Sequence, residues 1–123
     1  MDTIIYSYKD LIVWKRATEL AVAVYSLTSH FPSFEQFGLT SQMRRAAVSI
    51  ASNIAEGRNR STRKDFNQFL HIAFGSGAEL ETQIFIAKQL EETKRNDFSQ
   101  VDALLLETMK MLNSMIKKFQ SRS

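Results

Sequence analysis

A chain of 123 residues with four glycines, one proline and no cysteine has the size of a single domain, residues 1–123, and so few turn-formers favour long helices over a sandwich of short strands. The lack of cysteine excludes disulfides and thiolate metal sites and favours a reducing compartment. Sixteen lysines and arginines against thirteen acids leave a net charge of +3, which permits an anionic partner without requiring one.

The hydrophobic share of 44% and the charged share of 24% suit an ordinary soluble protein with one core. Residues 1–8 lack a basic segment followed by an apolar run, so no signal peptide is expected. No apolar stretch approaches the roughly 18 residues of a membrane span. The expected location is therefore the cytoplasm. Asn59-Arg60-Ser61 matches a glycosylation sequon, but without a secretion signal the match is read as chance.

The first helix is predicted over residues 8–29, with Ser7 as its N-cap. Val13, Ala17, Leu20, Val24 and Leu27 form one apolar stripe; Leu11, Trp14, Ala21 and Tyr25 form another beside it. Together they are wider than a coiled-coil seam, so one side is assigned to the core and the other to a subunit contact. Pro32 cannot continue this helix. Phe31, Phe34 and Phe37 are too many aromatics for a solvated linker and are expected to fold over the end of the bundle.

The second helix is predicted over residues 40–56, with Gly57 as the C′ residue that stops it. Met43, Ala46, Ala47, Ile50 and Ile54 share one face. Ala46, Ala47, Ser49, Ala51, Ser52 and Ala55 keep the helix thin, which places it at the centre of a bundle, touching several partners. Asn53 falls on the stripe of Ala46 and Ile50, where a structural hydrogen bond to a neighbouring helix is expected. A polar hinge over residues 58–64 follows.

Thr62 and Asp65 have the spacing of a capping box with Asp in place of Glu. The third helix then runs to about residue 92, roughly 45 Å, with Phe66, Phe69, Leu70, Ala73, Gly77, Leu80, Ile84 and Ala87 facing inward. Gly75 and Gly77 each cost about 1 kcal/mol relative to alanine in mid-helix, which implies a close backbone contact or a kink. Residues 93–97 make the last turn, with Asp97 or Ser99 as cap. Phe98, Val101, Leu105, Thr108, Leu112, Met115 and Phe119 carry a heptad rhythm along a fourth helix ending near residue 120. Four long helices with short links predict an all-α, up-down-up-down bundle.

No constellation here carries catalysis. A di-iron bundle needs Glu-x-x-His, but His71 follows Gln68 at that spacing and His30 sits in the linker. Gly75-Ser76-Gly77 is neither a nucleophile elbow nor, with no strand before it, a dinucleotide fingerprint. Ser76 reads as a small packing residue. Glu79 and Glu81 lie on different helix faces. No cofactor is implied, and the protein is expected not to be an enzyme.

Asp10-Leu11-x-Val13-Trp14, Phe31-Pro32, Gly38-Leu39-x-x-Gln42, Arg44-Arg45-Ala46-Ala47-x-Ser49-Ile50 and Asn53-Ile54-Ala55-Glu56-Gly57 together resemble the 23S rRNA intervening-sequence proteins, also labelled S23 ribosomal proteins. Phe69-Leu70-x-Ile72-Ala73-x-Gly75-Ser76-x-x-Glu79-Leu80-Glu81-Thr82-Gln83 extends the match over nearly the whole chain. The resemblance implies a left-handed bundle that assembles as a homopentamer and has no enzymatic activity. Its members are encoded within intervening sequences of large-subunit rRNA genes or as free-standing genes. The family is also similar to the accessory variability proteins of retroelements, which implies RNA or DNA and a reverse transcriptase as partners. Gly77 departs from the pattern, which has a bulkier apolar residue there.

The candidate site is cationic. Arg44, Arg45, Arg58, Arg60, Arg63 and Lys64 face one acid, Glu56, between residues 44 and 64, a local charge of +5. Repeated around a ring, they would form a collar for phosphate backbone. Arg44 and Arg45 are read first as partners of Glu56, Glu79 or Glu81 inside the bundle, while the four hinge residues are as readily solvated as bound. No interleaving of basic and aromatic residues points to base readout. The residues thus support nucleic-acid binding by an oligomeric bundle, with a protein-binding scaffold as the alternative.

Overall fold

The apolar periodicity becomes four helices in the computed structural model, which describes residues 11–120. They are α1 (Ile12–Thr28), α2 (Leu39–Arg58), α3 (Arg63–Gln89) and α4 (Ser99–Gln120), with one 3₁₀ turn at Ser33–Glu35 and no strand among the described residues. α1 packs on α2, α2 on α3, α3 on α4, and α4 closes back on α1, and among the described residues no diagonal pair of helix backbones comes as close. This is the pairing of an up-down-up-down bundle. α2 therefore touches two helices, as every other helix does, and is not central. Its small residues instead make the α2–α3 contact the most extensive of the four.

Leu11 is extended (φ −81°, ψ 130°), so α1 starts at Ile12, later than its apolar pattern suggested; the expected cap Ser7 lies outside the described residues. Its main stripe is buried. In the second stripe Leu11, Trp14 and Ala21 are half-buried and Tyr25 is exposed. Arg16 ties α1 to α4 through Glu107, at 2.9 Å.

The linker corrects one expectation. Phe31 is buried, but Phe34 and Phe37 are 72% and 91% exposed. Phe34 sits in the 3₁₀ turn and Phe37 in the turn that follows it, and both point away from the bundle. Glu35 caps the next helix: its Oε1 accepts from the Leu39 N–H at 3.0 Å.

Gly57 lies inside α2 and is buried, and no described glycine has a positive φ. It is therefore not the left-handed stop that its place before a polar hinge suggests; it gives room to α3, whose Phe66 and Phe69 press against it. Asn53 likewise bonds within its own helix: Nδ2 donates to the Ser49 carbonyl at 2.8 Å and to Ser49 Oγ at 3.0 Å. Ser49 Oγ, in turn, lies 2.8 Å from Ser76 Oγ on α3, so the cross-helix link runs through the two serines.

Thr62 caps α3, accepting from the Asp65 N–H at 3.1 Å. α3 then spans 27 residues, about 40 Å at 1.5 Å each. It ends at Gln89 because Leu90 turns extended, and buried Thr93 donates to the Ala87 carbonyl at 2.6 Å. Met109 of α4 explains Gly77: a Cβ there would run into its sulfur, so the methionine supplies the bulk that the glycine lacks. Gly75 is different. It is exposed, and a Cβ there would meet nothing within 4 Å.

α4 buries Val101, Leu105, Thr108, Leu112 and Ile116. At its start Asp97 Oδ1 accepts from the Ser99 N–H at 3.0 Å and from Ser99 Oγ at 2.7 Å. These bonds hold its carboxyl below the ordinary carboxylate value. A depressed pKa contributes stability above the unfolded-state value and loses it as pH falls through the folded one. Asp97→Ala should therefore lower the melting temperature near neutral pH and converge on wild type in acid. A gap that stays constant with pH would show that the charge is not what caps α4.

Candidate nucleic-acid interface

α2 stops, α3 starts and α4 stops at the same end of the bundle. Three arginines there lie over phenylalanine rings. The Arg58 guanidinium is 5.0 Å from the Phe66 centroid, Arg60 is 4.7 Å from Phe69, and Arg63 is 5.1 Å from Phe119. Phe66 and Phe119 pack at 5.3 Å with a 51° tilt, so the rings under Arg58 and Arg63 are themselves joined to the core. Each such contact is worth about 0.5–1 kcal/mol at an exposed site. They also restrict long side chains that would otherwise sample many rotamers, which prepares the planar guanidinium forks for phosphate.

Their electrostatic situations differ. Arg60 Nη2 donates to Glu56 Oε2 at 2.7 Å, an exposed pair of small energetic weight. Arg58 Nε is buried without a hydrogen-bond partner, and burial pushes its pKa down; it remains a cation at neutral pH. Lys64 is exposed beside Arg63.

The sequence reading missed Lys117 and Lys118. Both are exposed in the last turn of α4, next to Phe119, on which Arg63 rests. Only the antiparallel path of α4 brings them to the hinge more than fifty positions earlier. Each also complements the negative end of the α4 dipole.

Arg44 stands apart. Its Nε donates to Thr28 Oγ1 at 2.8 Å, its Nη2 to the Tyr25 carbonyl at 3.3 Å, and its guanidinium lies 4.5 Å from the Tyr25 ring centroid. It thus binds the last turn of α1, adding to the bond that the Tyr25 carbonyl already accepts from the Ser29 N–H, rather than the carboxylates expected of it. Arg45 is exposed, and among the described residues it forms no ion pair. Both lie about 20 Å along α2 from Arg58. The structure therefore gathers Arg58, Arg60, Arg63 and Lys64 and leaves Arg44 and Arg45 outside the group.

A cavity of about 640 Å³ opens beside the cluster, between the first turns of α3 and the end of α4. Arg63, Lys64, Asn67, Gln68, His71 and Phe119 line it. Gln120 Nε2 lies 3.3 Å from His71 Nε2 on its wall, and Asn67 Oδ1 is buried without a partner. Among the described residues no three histidines and acids converge as metal ligands, and no helix is long and apolar enough to cross a membrane.

The architecture is that of a four-helix bundle with a cationic end. The chain belongs to the 23S rRNA-intervening sequence protein family, whose model matches residues 9–114. Among solved structures it is similar to a protein of unknown function from the S23 ribosomal protein family of Bacteroides thetaiotaomicron. The two share 27% identity with a TM-score of 0.75, over 86% of this chain and 99% of that one. No curated protein matches the chain.

Proposed function

We propose that the protein is a non-enzymatic, homo-oligomeric bundle that binds nucleic acid, structured RNA foremost, through the phosphate backbone. The observation that carries this reading is the convergence of Arg58, Arg60, Arg63, Lys64, Lys117 and Lys118 on one end of the bundle. Positions on three separate chain segments bring cationic side chains to the same end of the bundle, and three of the six lie over phenylalanine rings. Self-association is supported by apolar side chains left outside the core, Ile12 and Val22 on α1, Phe85 on α3 and Leu106 on α4. Several copies would multiply the cationic end along one nucleic acid.

A labelled RNA stem titrated across a salt series tests the proposal. The logarithm of affinity should fall linearly with the logarithm of salt, with a slope of about 0.9 per phosphate neutralised on a duplex. Light scattering on the purified protein, with its absorbance ratio, should report several subunits together with retained nucleic acid. Salt-insensitive binding would refute phosphate recognition, and a monomer would refute the oligomer. The same apolar side chains favour a second reading, a scaffold that grips another polypeptide; a partner retained after nuclease treatment would support it.

A further inference from the structure

We infer that the cavity between α3 and α4 receives an unpaired nucleobase, so that the cationic end prefers single-stranded segments over uninterrupted duplex. The inference rests on the nucleic-acid reading above and adds what a backbone-binding surface by itself lacks. A surface that reads phosphate alone needs lysines and arginines. This cavity also presents Asn67, Gln68, His71 and Gln120, groups whose donors and acceptors match the edges of bases. Its volume, about 640 Å³, lies within the usual range for small-ligand sites.

Two local features give the base a place and an orientation. The guanidinium of Arg63, backed by the ring of Phe119 at 5.1 Å, is a flat platform of the kind on which unstacked bases rest. Asn67 lines the same wall, where its amide can meet the edge of a base. Lys64 and the first turn of α3 border the same cavity, where cationic charge and the helix dipole favour the adjoining phosphate. A base in a continuous duplex is stacked and paired and cannot enter.

Three probes of equal length and label separate the possibilities: an adenosine-rich RNA single strand, the same strand in duplex, and an abasic strand that keeps the phosphates. Asn67→Leu and Gln68→Ala are the variants. The first removes an unsatisfied buried acceptor and the second alters an exposed side chain, so both should fold, with circular dichroism as the control. Wild type should bind the adenosine-rich strand about tenfold more tightly than the abasic one. The paired variant should lose that preference, while duplex affinity and salt slope stay unchanged. Equal affinity of wild type for the abasic and adenosine-rich strands, or equal losses by the variants on every probe, overturns the base pocket but leaves the phosphate reading standing. No salt-dependent binding to any probe overturns both.

Discussion

Gly57→Ala is expected to destabilise the bundle by about 2 kcal/mol, although alanine is the better helix former by about 1 kcal/mol. A Cβ at Gly57 would stand 2.8 Å from both Phe66 Cδ1 and Phe69 Cβ, and 3.2 Å from the Phe66 carbonyl oxygen. None of these atoms yields easily. The Phe66 ring is buried between Arg58 and Phe119, and the other two belong to or adjoin the α3 main chain. Relief requires α2 and α3 to separate where they pack most extensively, and overpacking of this kind costs about 1–3 kcal/mol or more. Gly75→Ala offers the internal comparison. A Cβ there meets nothing within 4 Å, so this variant should gain up to about 1 kcal/mol. Denaturant midpoints at constant m-value measure both. A Gly57→Ala protein as stable as wild type would refute the close approach of the two helices. A Gly75→Ala protein that folds well but dissociates would place Gly75 in a subunit contact.

The same glycine shows where sequence reasoning stops. Glycine before a polar hinge looks alike whether it supplies a left-handed stop or room for a neighbouring helix; the distinction lies in the ring positions of Phe66 and Phe69, on another element. Helix periodicity was legible because it is local: the inward positions of α2, and those of α3 apart from half-buried Phe69, are buried as read. Buried Gln83 and Thr93 broke no local pattern and passed unseen. The aromatic linker misled because hydrophobicity gives the benefit of burial but not the direction a turn imposes, and Phe34 and Phe37 face solvent. Arg44 announced a cation without revealing that its partner would be the end of α1. Four of the six cationic members, Arg58, Arg60, Arg63 and Lys64, were visible as a run near the hinge. Lys117 and Lys118 were not, because their membership depends on the antiparallel return of α4, although the expected up-down order already implied that return.

That missed contribution makes the sharpest functional expectation. Reversing both residues, Lys117→Glu with Lys118→Glu, should weaken RNA binding on the order of 10²-fold at low salt and reduce the salt slope by about 2, one for each lost phosphate contact. Lys117→Glu alone should produce about half the change in slope. Both side chains are exposed, so the core is untouched. Losing their attraction to the α4 C-terminus costs about 0.3–1 kcal/mol each, which a melting curve registers separately from binding. Arg45→Glu provides the control for net charge. It introduces an equally exposed reversal about 20 Å along α2 from Arg58, beyond the roughly 8–10 Å over which exposed charges act at physiological salt. Binding by this variant should stay within about twofold of wild type at such salt. If Arg45→Glu weakened binding as much as the lysine pair, the RNA would be responding to the overall charge of the protein; only a loss confined to the lysines identifies the meeting point of α2, α3 and α4 as the surface that holds it.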